Sequence, residues 1–325
     1  MSESASPFEE LHARIKAKDR RALARLVSRL ENGELVDEVR SLCPPHDSMR
    51  TLVVGMTGSP GAGKSSLTAG LIGHLRQQKK TVAILATDPA SPFTGGALLG
   101  ERVRMDYDPA DVGVFMRSFS SRGATGGLSE STADVLRAVE AFGFDVVLME
   151  TVGSGQDQLA IRDLVDVLVL VLTPAGGDDI QWEKAGQMEA ADLIALNKAD
   201  LPGTDFAIAG LRAIFELSPQ VAPAIVKTIA TKGQGLAELW REIELVGGRG
   251  SHHPRFGPAR RLLSAAQREL RRLFEKEESS NPVVADLIER FARGSQDEHP
   301  LARDLLKELS RVEPVDPSTT HHGNG

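Results

Sequence analysis

The chain has 325 residues, 41% of them hydrophobic and 26% charged, with a formal net charge of -7 at pH 7. That is enough for one sizeable α/β domain with attachments, or for two domains, and the acidic balance argues against a general nucleic-acid binder, whose phosphate contacts need a basic surface. A single cysteine, Cys43, can neither staple a fold nor build a zinc site alone, which points to a reducing compartment. The opening residues MSESASPFEE lack the blocks of a signal peptide and no apolar run reaches membrane-spanning length, so the expected location is cytoplasmic and no membrane role is expected.

Residues 1–48 read as a helical N-terminal extension. Asp19 is placed to cap a helix in which Leu23, Leu26, Val27 and Leu30 recur at helical spacing, with Asn32-Gly33 as its stop. That apolar face needs cover, from the domain that follows or from a partner chain. Pro44-Pro45 closes the extension, and Cys43 beside it reads as a packing residue. Leu52, Val53 and Val54 then form a short buried strand that breaks into Gly58-x4-Gly63-Lys64-Ser65, the phosphate-binding loop pattern in its required strand-to-helix context. Gly58, Gly61 and Gly63 let the backbone wrap a phosphate with its N–H groups inward, at a helix start that already favours anions. Lys64 would reach the β- and γ-phosphates and the Ser65 hydroxyl would ligate Mg²⁺.

An amphipathic helix follows over residues 65–78, then a buried strand over 81–86. Asp88, after that strand, lies where ligands bind in a doubly wound sheet: it could hold Mg²⁺ through water, orient an attacking water, or simply start the turn that Pro89 continues. Residues 92–97 and 118–128 carry too many glycines for packed helix or strand and read as mobile loops of the switch type. A helix over 130–142 leads into a strand over 144–149, with Asp145 in a structural role. Glu150-Thr151-Val152-Gly153 comes next. In guanine-nucleotide proteins this element is an acidic residue, usually aspartate, two spacers and a glycine whose N–H senses the γ-phosphate; the longer Glu150 can still act at the magnesium shell. Ser154 stands where Ras-like proteins carry the glutamine that orients water, so unaided hydrolysis should be slow.

A central strand over 165–172 precedes a third glycine-rich loop containing Gly177, Asp178 and Asp179, followed by Trp182 and Lys184. Lys184 could complete the site or grip a partner, and Asp178 or Asp179 could cap the next helix. The strand over 193–196 ends in Asn197-Lys198-Ala199-Asp200. A carboxylate accepts two hydrogen bonds from the guanine N1–H and amine that adenine does not offer, so Asp200 discriminates by being left unpaired against ATP. Lys198 can cover the base face, and Asn197 braces the loop. A last strand over 224–230 brings residues 228–233 to where a backbone N–H contacts guanine O6. A helix over 236–245 closes the domain spanning 49–246, and Gly247-Gly248-Arg249-Gly250-Ser251 reads as a linker. Beyond it, 247–313 holds three helical stretches: one with Leu262 to Phe274, one opened by Pro282 with Val284, Leu287, Ile288 and Phe291, and one with Leu301, Leu305, Leu306 and Leu309. Their apolar faces favour a homodimer or a partner-docking element. The Arg260, Arg261, Arg268, Arg271 and Arg272 cluster reads as a solvated face, the paired histidines lack further ligands, and 314–325 reads as a disordered tail.

With these pieces placed, the chain resembles the methylmalonyl-CoA mutase-associated GTPases, also called MeaB-like or ArgK-type, over about residues 10–245. The resemblance rests on the residues 58–65 loop, Asp88-Pro89-Ala90-Ser91-Pro92-Phe93-Thr94-Gly95-Gly96, Arg117-Ser118 with Arg122-Gly123 and Gly126-Gly127-Leu128, Glu150 to Gln156, Gly177 to Gln181, and Asn197 to Asp200. It implies a P-loop NTPase fold in the α/β class, with a mostly parallel central sheet flanked by helices and helical N- and C-terminal extensions. It also implies a GTPase chaperone of an adenosylcobalamin-dependent acyl-CoA mutase, one that gates cofactor loading from an adenosyltransferase and protects the mutase from inactivation.

Carried over by position, Gly58, Ser59, Pro60, Gly61, Ala62, Gly63, Lys64, Ser65 and Ser66 would hold the phosphates of GTP or GDP. Asn197, Lys198 and Asp200 would hold the guanine, with Ile229, Ala230 and Thr231 beside the base. Ser65, Asp88, Glu101 and Glu150 fall at positions linked to magnesium, Gly153 at the γ-phosphate, and Gln181 and Lys184 in the third switch, which communicates with the mutase. The chain departs from the family pattern at Ile229, where serine is usual, at Glu101, where aspartate is usual, at Trp182 and Glu183, and after Gly247. Two other readings stay open. A nickel-insertion metallochaperone would need clusters where His74 and Cys43 stand isolated, and a kinase of an amino-acid transport system would need an acceptor site that no motif supplies.

Overall fold

A computed structural model of the protein describes residues 7–42, 51–88, 110–120, 131–151, 161–162, 164–174, 185–216, 222–248, 266, 270, 273–274, 276–294 and 298–311. The chain forms two compact units, Met1–Arg255 and Phe256–Gly325. The first begins with α1 (Pro7–Lys16), α2 (Arg20–Glu31) and α3 (Val36–Leu42) and continues through β1 (Leu52–Thr57), α4 (Lys64–Gln77), β2 (Val82–Asp88), β3 (Val114–Ser120), α5 (Ser131–Phe142), β4 (Val146–Glu150), β5 (Val167–Leu172), α6 (Ala185–Ala190), β6 (Leu193–Leu196), α7 (Thr204–Glu216), β7 (Ala224–Lys227) and α8 (Leu236–Gly248). The strands form one seven-stranded sheet in the order β3-β2-β4-β1-β5-β6-β7, with every pairing parallel.

A parallel sheet covered on both faces needs nearly continuous apolar strands. Val53, Val54 and Met56 of β1, Val147 and Leu148 of β4, and Val169 and Leu170 of β5 are accordingly fully buried. One face packs against α4 and α8 through Leu67, Leu71, Leu239 and Trp240, and the other receives Leu211 and Phe215 of α7 beside Leu170 and Ile194. The result is a doubly covered α/β sheet of the expected class. Among the described residues no helix is long and apolar enough to cross a membrane.

Three local readings are corrected. Residues 118–120, expected as part of a glycine-rich loop, extend β3, which pairs with β2 from Val82↔Val114 to Asp88↔Ser120. Val114, Phe115 and Met116 bury and carry the strand outward, and the glycines at 123, 126 and 127 lie beyond it, outside the described residues. β7 stops at Lys227 rather than at 230 because Ile229 turns back to pair with Gln234 around a 3-10 turn, Ala230–Lys232. Gly235 permits this return: it has φ 77°, and a Cβ there would lie 2.1 Å from the Lys227 carbonyl oxygen. Gly247 and Gly248, expected as linker, are the last turn of α8. A Cβ on Gly247 would sit 2.6 Å from Leu52 Cδ1, so close approach to the sheet, not flexibility, explains that glycine.

The N-terminal helices belong to the first unit. Asp19 caps α2 as expected, its Oδ1 accepting from the Arg21 and Ala22 N–H groups at 2.8 and 3.2 Å. Leu23, Leu26, Val27 and Leu30 are buried, with α2 packed on α5 and β3, so the domain itself covers this face. Polar contacts lock the extension over the β3 edge, a place where unpaired backbone invites wrong partners. Arg20 donates to the carbonyls of Asp111 and Val114, and Arg117 of β3 bonds Ser28 and Glu31; away from that edge, Arg40 of α3 grips buried Asp134 of α5 with two bonds of 2.9 and 2.7 Å. Asp145 is structural as expected, accepting from the Thr81 N–H and hydroxyl at 2.6 and 2.7 Å.

In the second unit α9 (Pro282–Ala292) and α10 (Glu298–Leu309) pack together through Val284, Leu287, Leu301 and Leu309. Asn281 caps α9 through the Val283 N–H at 2.9 Å. Ile288, Phe291 and Leu306, expected on buried faces, are exposed. The stretch 262–274 and the tail from 314 fall almost wholly outside the described residues. Because α2 is part of the core, Leu23→Ala should destabilise the protein by about 3 kcal/mol in chemical denaturation; a change no larger than at an exposed site would show the extension to be dispensable.

Candidate functional site

The site lies at the carboxyl ends of the strands, where a doubly wound sheet leaves its crevice. β1 hands the chain to Gly58, whose φ is 142° and whose Cβ would fall 2.3 Å from the Val171 carbonyl oxygen at the end of β5. Only glycine lets the loop start this close to the neighbouring strand. Gly63, at φ 93°, caps α4, and a Cβ there would meet Asn197 Nδ2 at 2.3 Å. Lys64, buried at 7% exposure, lies over the loop and donates to the carbonyls of Gly58 at 2.8 Å and Ser59 at 3.2 Å. The loop therefore joins a helix N-terminus, glycines no other residue can replace, and an ammonium held at its mouth, a combination suited to a polyphosphate.

Beside it, the register Met56↔Glu150 and Ala86↔Glu150 fixes Glu150 in the middle of the sheet. The carboxylate is 5% exposed; its Oε1 accepts from Ser65 Oγ at 2.7 Å and its Oε2 from Thr68 Oγ1 at 3.3 Å. A hydroxyl and a carboxylate converging at the start of α4 form the hard oxygen set that Mg²⁺ prefers. Thr151 continues the wall, its N–H donating to the Met56 carbonyl at 3.3 Å.

The third part is the loop after β6. Asn197 is buried and touches both neighbouring loops: Nδ2 donates to the Ala62 carbonyl at 2.9 Å, while Oδ1 accepts from the Ala230 N–H at 3.1 Å and the Thr228 hydroxyl at 3.3 Å. The amide orientation follows from the partners, since a carbonyl only accepts and an N–H only donates. Lys198 takes φ 57°, a conformation that costs a side-chain-bearing residue of order 1 kcal/mol, and its ammonium donates to the Gly61 carbonyl at 2.9 Å. Asp200 is more than a third exposed and its Oδ2 accepts from Lys232 Nζ at 2.8 Å. That hydrogen bond holds the Asp200 carboxyl below the usual carboxylate range.

A family model described as methylmalonyl Co-A mutase-associated GTPase MeaB matches residues 23–269. The chain belongs to this MeaB family of GTPases. Among MeaB-like relatives, a GTPase of Pyrococcus horikoshii is 43% identical over 246 residues, 73% of this chain and 77% of that protein. The mitochondrial methylmalonic aciduria type A homolog of Mus musculus is 32% identical over 247 residues, 74% of this chain and 58% of that protein. The crystal structure of an LAO/AO transport system kinase shares the fold, with a TM-score of 0.61 at 22% identity over 95% of this chain and 100% of that one.

The MeaB fold thus brings together Gly58, Ser59, Gly61, Ala62, Gly63, Lys64, Ser65, Glu150, Asn197, Lys198, Asp200 and Ala230. In the base loop the Ile229 N–H is bonded to the Gln234 carbonyl at 3.0 Å and the Ala230 N–H to Asn197. Asp88 ends β2, but its side chain lies outside the described residues, as do Glu101, Gly153, Ser154, Gln156, Asp178, Asp179, Gln181, Trp182, Glu183 and Lys184. Two side-chain contacts are not marked in the sequence: that of Thr68, whose signal is a hydroxyl on an otherwise apolar helix face, and that of Lys232, expected only as part of the 228–233 stretch and here bonded to Asp200. A depressed carboxyl stays ionised above its lowered pKa and loses its charge as pH falls through it. Lys232→Met removes the cause, so the acid limb of guanine-nucleotide binding should move to higher pH; GDP affinity titrated against pH checks this, and coincident limbs would show that Lys232 does not govern Asp200.

Proposed function

We propose that this GTPase binds GTP with Mg²⁺, hydrolyses it slowly by itself, and uses the cycle as a chaperone of an adenosylcobalamin-dependent acyl-CoA mutase, gating cofactor loading from an adenosyltransferase and protecting the mutase from inactivation. The observation that carries the nucleotide reading is Asn197, which ties the phosphate loop at Ala62 to the base loop at Ala230 on the strand end that also bears Asp200. Asp200 would accept from the guanine N1–H and amine, and an adenine would leave that carboxylate without those donors.

At the other end of the nucleotide, the loop N–H groups and Lys64 would bind the β- and γ-phosphates. Ser65 and Glu150 would hold Mg²⁺, which when bound neutralises the charge of the phosphate oxygens. Water would attack the γ-phosphorus as the bond to the bridging β–γ oxygen breaks, its oxygen and one proton leaving in hydrogenphosphate and its other proton passing to solvent, while GDP leaves with its charge held by the loop and Lys64. Asp88, Glu101, Gly153 and Lys184 would complete the site from the segments around it, Gly153 through its N–H at the γ-phosphate. The mutase partnership draws support from the family description and from the name of the mouse relative. Exposed Phe291, Val283 and Leu306 on the C-terminal helices support a homodimeric contact there.

The experiment is GTP turnover of the purified chain with and without an adenosylcobalamin-dependent acyl-CoA mutase. Slow hydrolysis should rise at least about tenfold when a cognate mutase completes the site. Equal rates across a panel of such mutases would overturn the chaperone reading while leaving the GTPase intact.

A further inference from the structure

The buried face of α4 is Lys64, Leu67, Thr68, Leu71, Ile72 and Leu75. Lys64 has its place at the phosphate loop, and four of the others are the aliphatic stripe that helix amphipathicity demands. Thr68 is the exception. It is fully buried, and threonine is a weaker helix former than the alanine or leucine that would fill such a place. A buried helical threonine commonly turns its hydroxyl onto the carbonyl four residues back. Here the hydroxyl donates to Glu150 Oε2 at 3.3 Å, one helical turn beyond the Ser65 hydroxyl that donates to Oε1 at 2.7 Å. Residues three apart lie on one helix face, so α4 presents two hydroxyls to the two oxygens of one carboxylate.

We propose that Thr68 is a positioning residue for the magnesium site, holding the second oxygen of Glu150 so that the first stays directed at Ser65. This rests on the reading of Ser65 and Glu150 as the Mg²⁺-binding pair. The backbone of Glu150 is fixed by its strand pairing on both sides. Its side chain has one more rotatable bond than the aspartate usual at this position, and each rotor that must be ordered costs free energy. A hold on Oε2 resists rotation of the carboxylate about the Ser65 contact. Mg²⁺ demands near-ideal octahedral geometry, so a carboxylate already oriented loses less on binding it. The glutamate's extra reach and the threonine one turn along the helix form a matched pair: an aspartate in the same strand register would be one methylene shorter and further from Thr68.

The test uses the full chain and measures GDP affinity by calorimetry at saturating Mg²⁺ and in EDTA. Thr68→Val keeps shape and removes the donor. It should reduce the strengthening that Mg²⁺ gives to GDP binding by about tenfold, leave the EDTA affinity within about twofold, and be largely rescued by Thr68→Ser. Should the valine variant not fold, Thr68→Ala reads the same difference. An undiminished Mg²⁺ effect, or equal losses with and without the metal, would overturn the proposal and leave Thr68 a packing residue. A wild-type chain that binds no GDP in either condition would overturn the nucleotide reading itself, and this proposal with it.

Discussion

One buried amide holds the site together. The ends of β1, β5, β6 and β7 open onto a common edge, but nothing in strand pairing alone fixes the loops beyond them relative to one another. Asn197 does so by spending its donor on the Ala62 carbonyl and its acceptor on the Ala230 N–H and the Thr228 hydroxyl. A partly satisfied polar network at this depth would be worse than an apolar core. Satisfied as it is, it converts three loops into one surface. The same closeness explains Gly63, since any side chain there would overlap the amide, and a mutation at either residue disturbs the 58–65 loop and the loop at Ala230 together.

Around that amide the site divides by rigidity. The phosphate loop, Glu150 and the Asn197 loop are anchored in a doubly covered sheet, which suits groups that must be in place before a ligand arrives. The Asp200 carboxylate is different: it sits at the surface, steered by Lys232 of the 3-10 turn after β7. An exposed ion pair contributes little to stability. Its value here is orientation and charge state. Lys198 shows the complementary economy, a residue in a costly backbone conformation kept there by its neighbours and by its own contact with Gly61.

Much of this was legible in the sequence because the signals are local and periodic. The P-loop pattern, the Asp19 cap, the apolar stripe of α2 and the Asn197 quartet each join residues close in the chain, and each appears where its spacing puts it. The failures were of two kinds. Gly247 was read as linker and residues 118–120 as loop, yet Gly247 serves a close approach to Leu52, which only the packed structure reveals, and β3 runs through to Ser120. Contacts between distant segments formed the other kind: Thr68 to Glu150 spans 82 residues and Lys232 to Asp200 spans 32. No periodicity marks such pairs, although a hydroxyl in an apolar stripe is a signal that something polar must face it.

On the proposed reading, one site selects guanine through the Asp200 carboxylate while glycines and buried Lys64 hold the phosphates. Calorimetric titration of the chain with GDP and with ADP, side by side in Mg²⁺, tests it most directly. A single GDP site per chain is expected, with a preference over ADP of at least about a thousandfold, as for other pockets built to hydrogen-bond what the rejected ligand lacks. Comparable affinities for the two nucleotides would contradict it.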